Sequence, residues 1–167
     1  MRYRRSLILE ALLHANRLLN GRVRPADEIA QVLRPFYNCT SIEGARSQRH
    51  EDLLRSLIFA LTADAYRREG SVHEAAILYR HASTISPGGH ATIYAHLVCK
   101  HRLSDFYADA LRTLQEYRRR WLAKPRIVRI LLRLFAWRTW ADKEGREITR
   151  SEDGDYQFLI ENAPRTT

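Results

Sequence analysis

The sequence predicts an all-α protein of antiparallel helical hairpins, about seven helices in all, on three observations. Leu and Ala together number 40 against 16 for Val plus Ile, which favours straight-chain helix formers over the β-branched residues that fill pleated surfaces. Apolar residues recur at three- and four-residue intervals along most of the chain, and Gly and Pro punctuate those runs at helix-like lengths. With 167 residues and 45% apolar side chains, the chain can bury a substantial core, so all-β, collagen-like and wholly disordered readings are set aside.

The elements follow in order. Leu9, Leu12, Leu13 and Leu19 make the stripe of a first helix over 6–19, closed by Asn20-Gly21, whose residues tolerate left-handed backbone. Pro25 starts a second over 26–36, with Ile29, Val32 and Leu33 on its apolar face. Pro35 and the polar run from Asn38 to Gln48 read as a long loop. From Glu51, the residues Leu54, Leu57, Ile58, Leu61 and Ala65 share one face until Gly70, and a further helix runs from Ser71 to Ser86 before Pro87-Gly88-Gly89. Shorter helices are expected over 90–101 and 104–121, and Lys124-Pro125 restarts a last one to about Trp140. The domain expected from this pattern covers 1–141. Residues 142–167, with Glu152, Asp153, Asp155 and Glu161, read as an acidic tail either disordered or folded back on a basic surface.

Within the pair from Ser56 to Gly89, Ala63, Tyr66, Gly70, Ala75, Tyr79, Ala82 and Pro87 fall at meaningful intervals. Small residues there let two helices approach, aromatics fill the wedge and proline ends the unit. This spacing resembles a tetratricopeptide repeat over about 34 residues. A second unit over His90 to Trp121 keeps the rhythm, with Ala110 and Leu114 in the places of Ala75 and Tyr79 and the glycine and proline positions lost. The resemblance implies a right-handed array completed by the flanking helices, since such arrays need about three units to bury a continuous core. It also implies a concave groove lined by the first helix of each hairpin: Ala60, Asp64, Arg67 and Arg68, then Tyr94, Val98, His101 and Arg102. That surface leans basic and suits an acidic peptide, because Arg forks pair with carboxylates. The competing reading has Arg67 and Arg68 complement the negative pole of their helix.

Charge is unevenly placed, with +8 over residues 112–138 and −3 over 139–167. Arg118, Arg119, Arg120, Lys124, Arg126, Arg129 and Arg133 form a cationic strip opposed only by Glu116. Ile127, Ile130, Leu131, Leu134, Phe135 and Trp137 interleave with it, too apolar for a merely solvated helix. Four readings compete: a last core helix with arginines outward, a partner or homodimer contact, a nucleic-acid surface, and, least favoured, an anionic membrane surface.

Little points to catalysis. His90, His96, Cys99 and His101 lie close together in sequence without zinc-finger spacing, so no metal is expected. The chain carries no HExxH, Walker-type, GxGxxG or GxSxG motif, so neither an enzyme nor a cofactor is expected. Glu51 with Asp52, and Asp105 with Asp109, read as surface charges. Cys39 and Cys99 stand 60 residues apart with no disulfide framework, which favours a reducing compartment. Glu10, His14 and Arg17 break the apolar run after Arg4-Arg5, and no apolar stretch approaches the ~18 residues of a membrane span. The expectation is therefore a cytoplasmic interaction module, an adaptor or chaperone-like binder of a protein or acidic peptide. A basic helical nucleic-acid binder using the strip is the alternative.

Overall fold

The structure, a computed structural model, describes residues 1–20, 26–86, 88–129 and 143–164, and over these the fold is all-α with two three-residue strands. The chain divides into two compact units, Met1–Gly88 and Gly89–Thr167, where the sequence reading drew one helical domain over 1–141 and a tail after it.

In the first unit, β1 (Arg2–Arg4) leads into α1 (Arg5–Asn20), which buries Ile8, Leu12 and Ala15, one helical stripe at i, i+4 and i+7. Helix α2 (Ala26–Leu33) opens with Asp27 and Glu28, carboxylates placed at the positive pole of the helix, and buries Ile29 and Leu33. The Ala26 N–H donates to the Glu69 carboxylate, and Tyr66 Oη donates to Asp27 at 2.9 Å. The expected loop over 38–48 contains a strand, β2 (Ser41–Glu43), paired in parallel with β1 so that Tyr3 stands opposite Ile42. Three alternating residues are too few to register as a strand in sequence, and the pairing depends on a partner 39 positions away. Gly21 and Pro25 lie outside the described residues, as does Pro87.

Helix α3 (Gln48–Glu69) starts at Ser47, whose hydroxyl accepts the His50 N–H at 3.2 Å. It stops at Gly70, in the left-handed region at φ +85°. Gly70 N–H donates to Arg67 O and Ser71 N–H to Tyr66 O, a Schellman closure that returns the chain into α4 (Val72–Ile85) after two residues. Ala63, Ala75, Ala76 and Ala82 are fully buried, so the two helices of this hairpin meet through small side chains, with Tyr79 buried among them.

The second unit comprises α5 (His90–Lys100), a 3-10 turn at Ser104–Phe106, α6 (Tyr107–Leu122), a helical turn at 126–129 and α7 (Lys143–Asn162). Helix α6 packs on α5, and α7 packs on both. The sequence shows little helical period where α7 forms, because Gly145 and Gly154 interrupt it. The helix is held by Ile148 and Leu159, buried 11 positions apart on one face, and by the polar contacts described below. Both cysteines are buried and free. Among the described residues, no helix is long and apolar enough to cross a membrane.

Candidate functional site

The eight residues expected to line a groove separate by burial, and Ala60 is buried. Asp64 and Arg67 turn into the α3–α4 hairpin: the Arg67 guanidinium donates twice to Asp64 Oδ1, Arg68 Nε donates to Oδ2 at 3.1 Å, and Tyr79 Oη donates to Oδ1 at 3.3 Å. The Arg67 side chain is only 6% exposed, so this is an internal tie between α3 and α4 rather than a rim. Burial and the neighbouring carboxylate hold the Tyr79 phenol far above its usual range. Arg68 also donates to Leu19 O at 3.0 Å, anchoring the end of α1. On α5, Tyr94 and Val98 are completely buried, Tyr94 edge-to-face with Phe106, and neither lines a surface. His101 and Arg102 are exposed. Spacing places a residue on a helical face, but which face a neighbouring helix covers is a tertiary matter, and Ala60, Asp64, Arg67, Tyr94 and Val98 all turn inward.

Arg102 has a feature that sequence alone does not show. It ends α5 in the left-handed region at φ +54°, with its N–H on Cys99 O and the Leu103 N–H on Val98 O. This is the closure Gly70 makes after α3, carried out here by a side-chain-bearing residue at a cost of about 1–2 kcal/mol. The guanidinium that this conformation positions lies 4.5 Å above the ring of Phe158 on α7.

Three further contacts hold the acidic helix. Arg118 on α6 lies 4.4 Å above the Tyr156 ring and 3.0 Å from the Asp153 carboxylate. Tyr107 meets Phe158 edge-to-face at 5.4 Å. Between them sits a half-buried polar cluster. His96 Nδ1 is 3.0 Å from Asp155 Oδ2 and 2.8 Å from Ser151 Oγ, and Ser151 Oγ is 2.9 Å from the same carboxylate oxygen. A carboxylate can only accept, so Nδ1 carries the hydrogen that faces Asp155. Ser151 and Asp155 thus meet on one imidazole nitrogen, whereas a Ser-His-Asp triad sets hydroxyl and carboxylate on opposite nitrogens. Cys99 Sγ points to Asp155 O at 3.6 Å, and burial, with the Asp155 charge adding to it, pushes its thiol up to about 12. At neutral pH the Cys99 thiol is therefore held in its neutral form. No three His, Cys, Asp or Glu side chains gather to hold a metal among the described residues. The geometry therefore clamps α7 to α5.

The cationic strip is largely engaged within the chain. Arg119 and Arg120 both grip Glu116, at 2.8 and 2.6 Å, and those hydrogen bonds hold its carboxyl down at about 2. Arg118 is engaged by α7. Lys124 lies over the Trp121 indole at 5.4 Å, while Arg126 is exposed and Arg129 half-buried. Arg133 lies outside the described residues. Three of these arginines have intramolecular carboxylate partners, yet the Arg119 and Arg120 side chains remain 75% and 48% exposed, so these are surface pairs screened by water and salt.

No known protein family matches this chain, and neither a curated protein nor a solved structure matches it.

Proposed function

We propose that this chain is a non-enzymatic, tetratricopeptide-like protein-interaction module whose α5–α6 face receives an acidic, aromatic-bearing helix of a partner protein. One observation carries the reading: the chain's own acidic helix is held on that face by Arg118 against Asp153 and Tyr156 and by Arg102 against Phe158. Guanidinium suits this work because one planar group both pairs with a carboxylate and stacks on a ring. The left-handed Arg102 supports it further, since a residue kept in a costly conformation where glycine would serve has a use for its side chain. The hairpin of α3 and α4, with Gly70 at the turn and alanines along the seam, supports the repeat-like scaffold.

The test uses a labelled peptide of sequence 151–162 added to three full-length proteins. Asp153→Lys/Tyr156→Ala loosens the resident helix and is expected to bind the peptide about tenfold tighter than the wild-type protein, whose site is occupied. Adding Arg102→Gly and Arg118→Ser to that variant is expected to abolish binding. Arg102→Gly relieves backbone strain, so lost binding with retained thermal stability reports the side chain and not unfolding. Equal peptide affinity in the loosened and wild-type proteins refutes the reading.

A further inference from the structure

The end of α6 and the turn after it carry exposed aliphatic side chains. Leu122 is 65% exposed and Ile127 69%, and Val128 is exposed beside them. Trp121 stacks on Tyr117 at 6.1 Å, with the Lys124 ammonium over its indole. Between Glu116 and Arg129 the chain carries six cations and a single carboxylate, and that carboxylate is bridged by Arg119 and Arg120. The sequence continues with the same chemistry, Ile130, Leu131, Leu132, Leu134, Phe135 and Trp137 alternating with Arg133 and Arg138.

Large aliphatic side chains that stay exposed on a stretch so rich in cations call for a partner with two properties in layers. Nucleic acid offers phosphates but admits aliphatic side chains such as Leu122 and Ile127 only by unstacking a base step, at a cost of about a few kcal/mol. The surface of an anionic bilayer offers phosphate and carboxylate headgroups to Lys124, Arg126 and Arg129, and an acyl boundary about 5–10 Å below them for the aliphatics. An indole lies preferentially at that boundary. Neither attraction alone anchors a protein firmly, and here the two coincide. We infer that the surface formed by Trp121, Leu122, Lys124, Arg126, Ile127 and Val128 docks this protein peripherally on an anionic phospholipid bilayer. It uses other side chains than those that hold α7, so it stands or falls apart from the protein-binding reading.

The experiment is co-sedimentation of the full chain with vesicles of phosphatidylcholine alone or phosphatidylcholine with phosphatidylserine, together with tryptophan emission. The wild-type protein is expected to sediment only with the phosphatidylserine vesicles and to shift its emission to the blue. Lys124→Glu/Arg126→Glu is expected to abolish sedimentation. Leu122→Ser/Ile127→Ser keeps every charge and is expected to weaken it by about tenfold or more. All four positions are solvent-exposed or partly so, and circular dichroism verifies that each variant is folded. Three results overturn the inference: no sedimentation of the wild-type protein, unchanged sedimentation of the serine pair, or a dimer that the serine pair dissociates while vesicles are ignored. The second would mean electrostatic adsorption alone, and the third a surface for a second copy.

Discussion

Replacing Asp64 by Asn keeps shape and removes one charge from the centre of the first unit. Asp64 and Arg67 side chains are 13% and 6% exposed, so the Arg67 guanidinium loses its carboxylate where water reaches it poorly. Breaking such a buried pair costs about 3–5 kcal/mol, mostly the penalty of the stranded charge. Arg68, with a side chain 41% exposed, loses little because solvent screens it. The Asn amide oxygen still accepts from Tyr79, whose contact at 3.3 Å is already long. The expected loss is therefore about 3 kcal/mol. Adding Arg67→Met removes the stranded charge and is expected to recover about 2 kcal/mol of it, since most of the penalty is that of the unpaired buried guanidinium. Urea denaturation followed by far-ultraviolet circular dichroism reads this, because all three tryptophans, Trp121, Trp137 and Trp140, lie outside the first unit and their fluorescence would not. A loss below about 1 kcal/mol for Asp64→Asn, or a double variant no more stable than the single one, would refute the account of this cluster as a buried ionic tie.

Two glycines give opposite expectations. A methyl group at Gly70 meets nothing within 4 Å, so Gly70→Ala is charged only for left-handed backbone, a loss of about 1–2 kcal/mol in urea denaturation. Gly154 sits inside α7, equally open, and Gly154→Ala should gain about 0.5–1 kcal/mol; a gain at both positions would contradict the φ assigned to Gly70. Cys99 supplies a pH prediction. Its folded thiol ionises at about 12 against an ordinary 9.0, so its contribution to stability is complete below pH 9 and is lost as the pH climbs toward 12. At pH 8, alkylation mapped by mass spectrometry should be on the order of a thousandfold slower in the native protein than in urea, and comparable rates would exclude a buried neutral thiol.

The α3–α4 hairpin was legible in the sequence because every signal that builds it is local. Gly70 is the residue a left-handed closure requires, Ser71 follows it directly, and Ala75, Tyr79 and Ala82 fall on one face at helical spacing. The all-α class was legible for the same reason, in composition and period together. The parallel pairing of Arg2–Arg4 with Ser41–Glu43 was not, since three-residue strands carry no periodic signal and their register depends on contacts 39 positions apart. Nor was the fate of the charged side chains. Asp64 and Arg67 look in sequence like any exposed helical pair, and only the packing of α4 over α3 turns them inward. Tyr94 and Val98 read as groove residues until α5 is seen buried on that side. The acidic segment shows its charge in the sequence but not its helix, because two glycines weaken its local propensity. Clamping by His96, Arg102 and Arg118 supplies from elsewhere in the fold the order that local sequence lacks. The sequence by itself thus determined the all-α class, the helices from α1 to α6 and where the cations lie, but not α7. The tertiary structure decided which of those cations are spent on internal carboxylates and aromatic rings and which remain at the surface, because burial and pairing are properties of the neighbour and not of the residue.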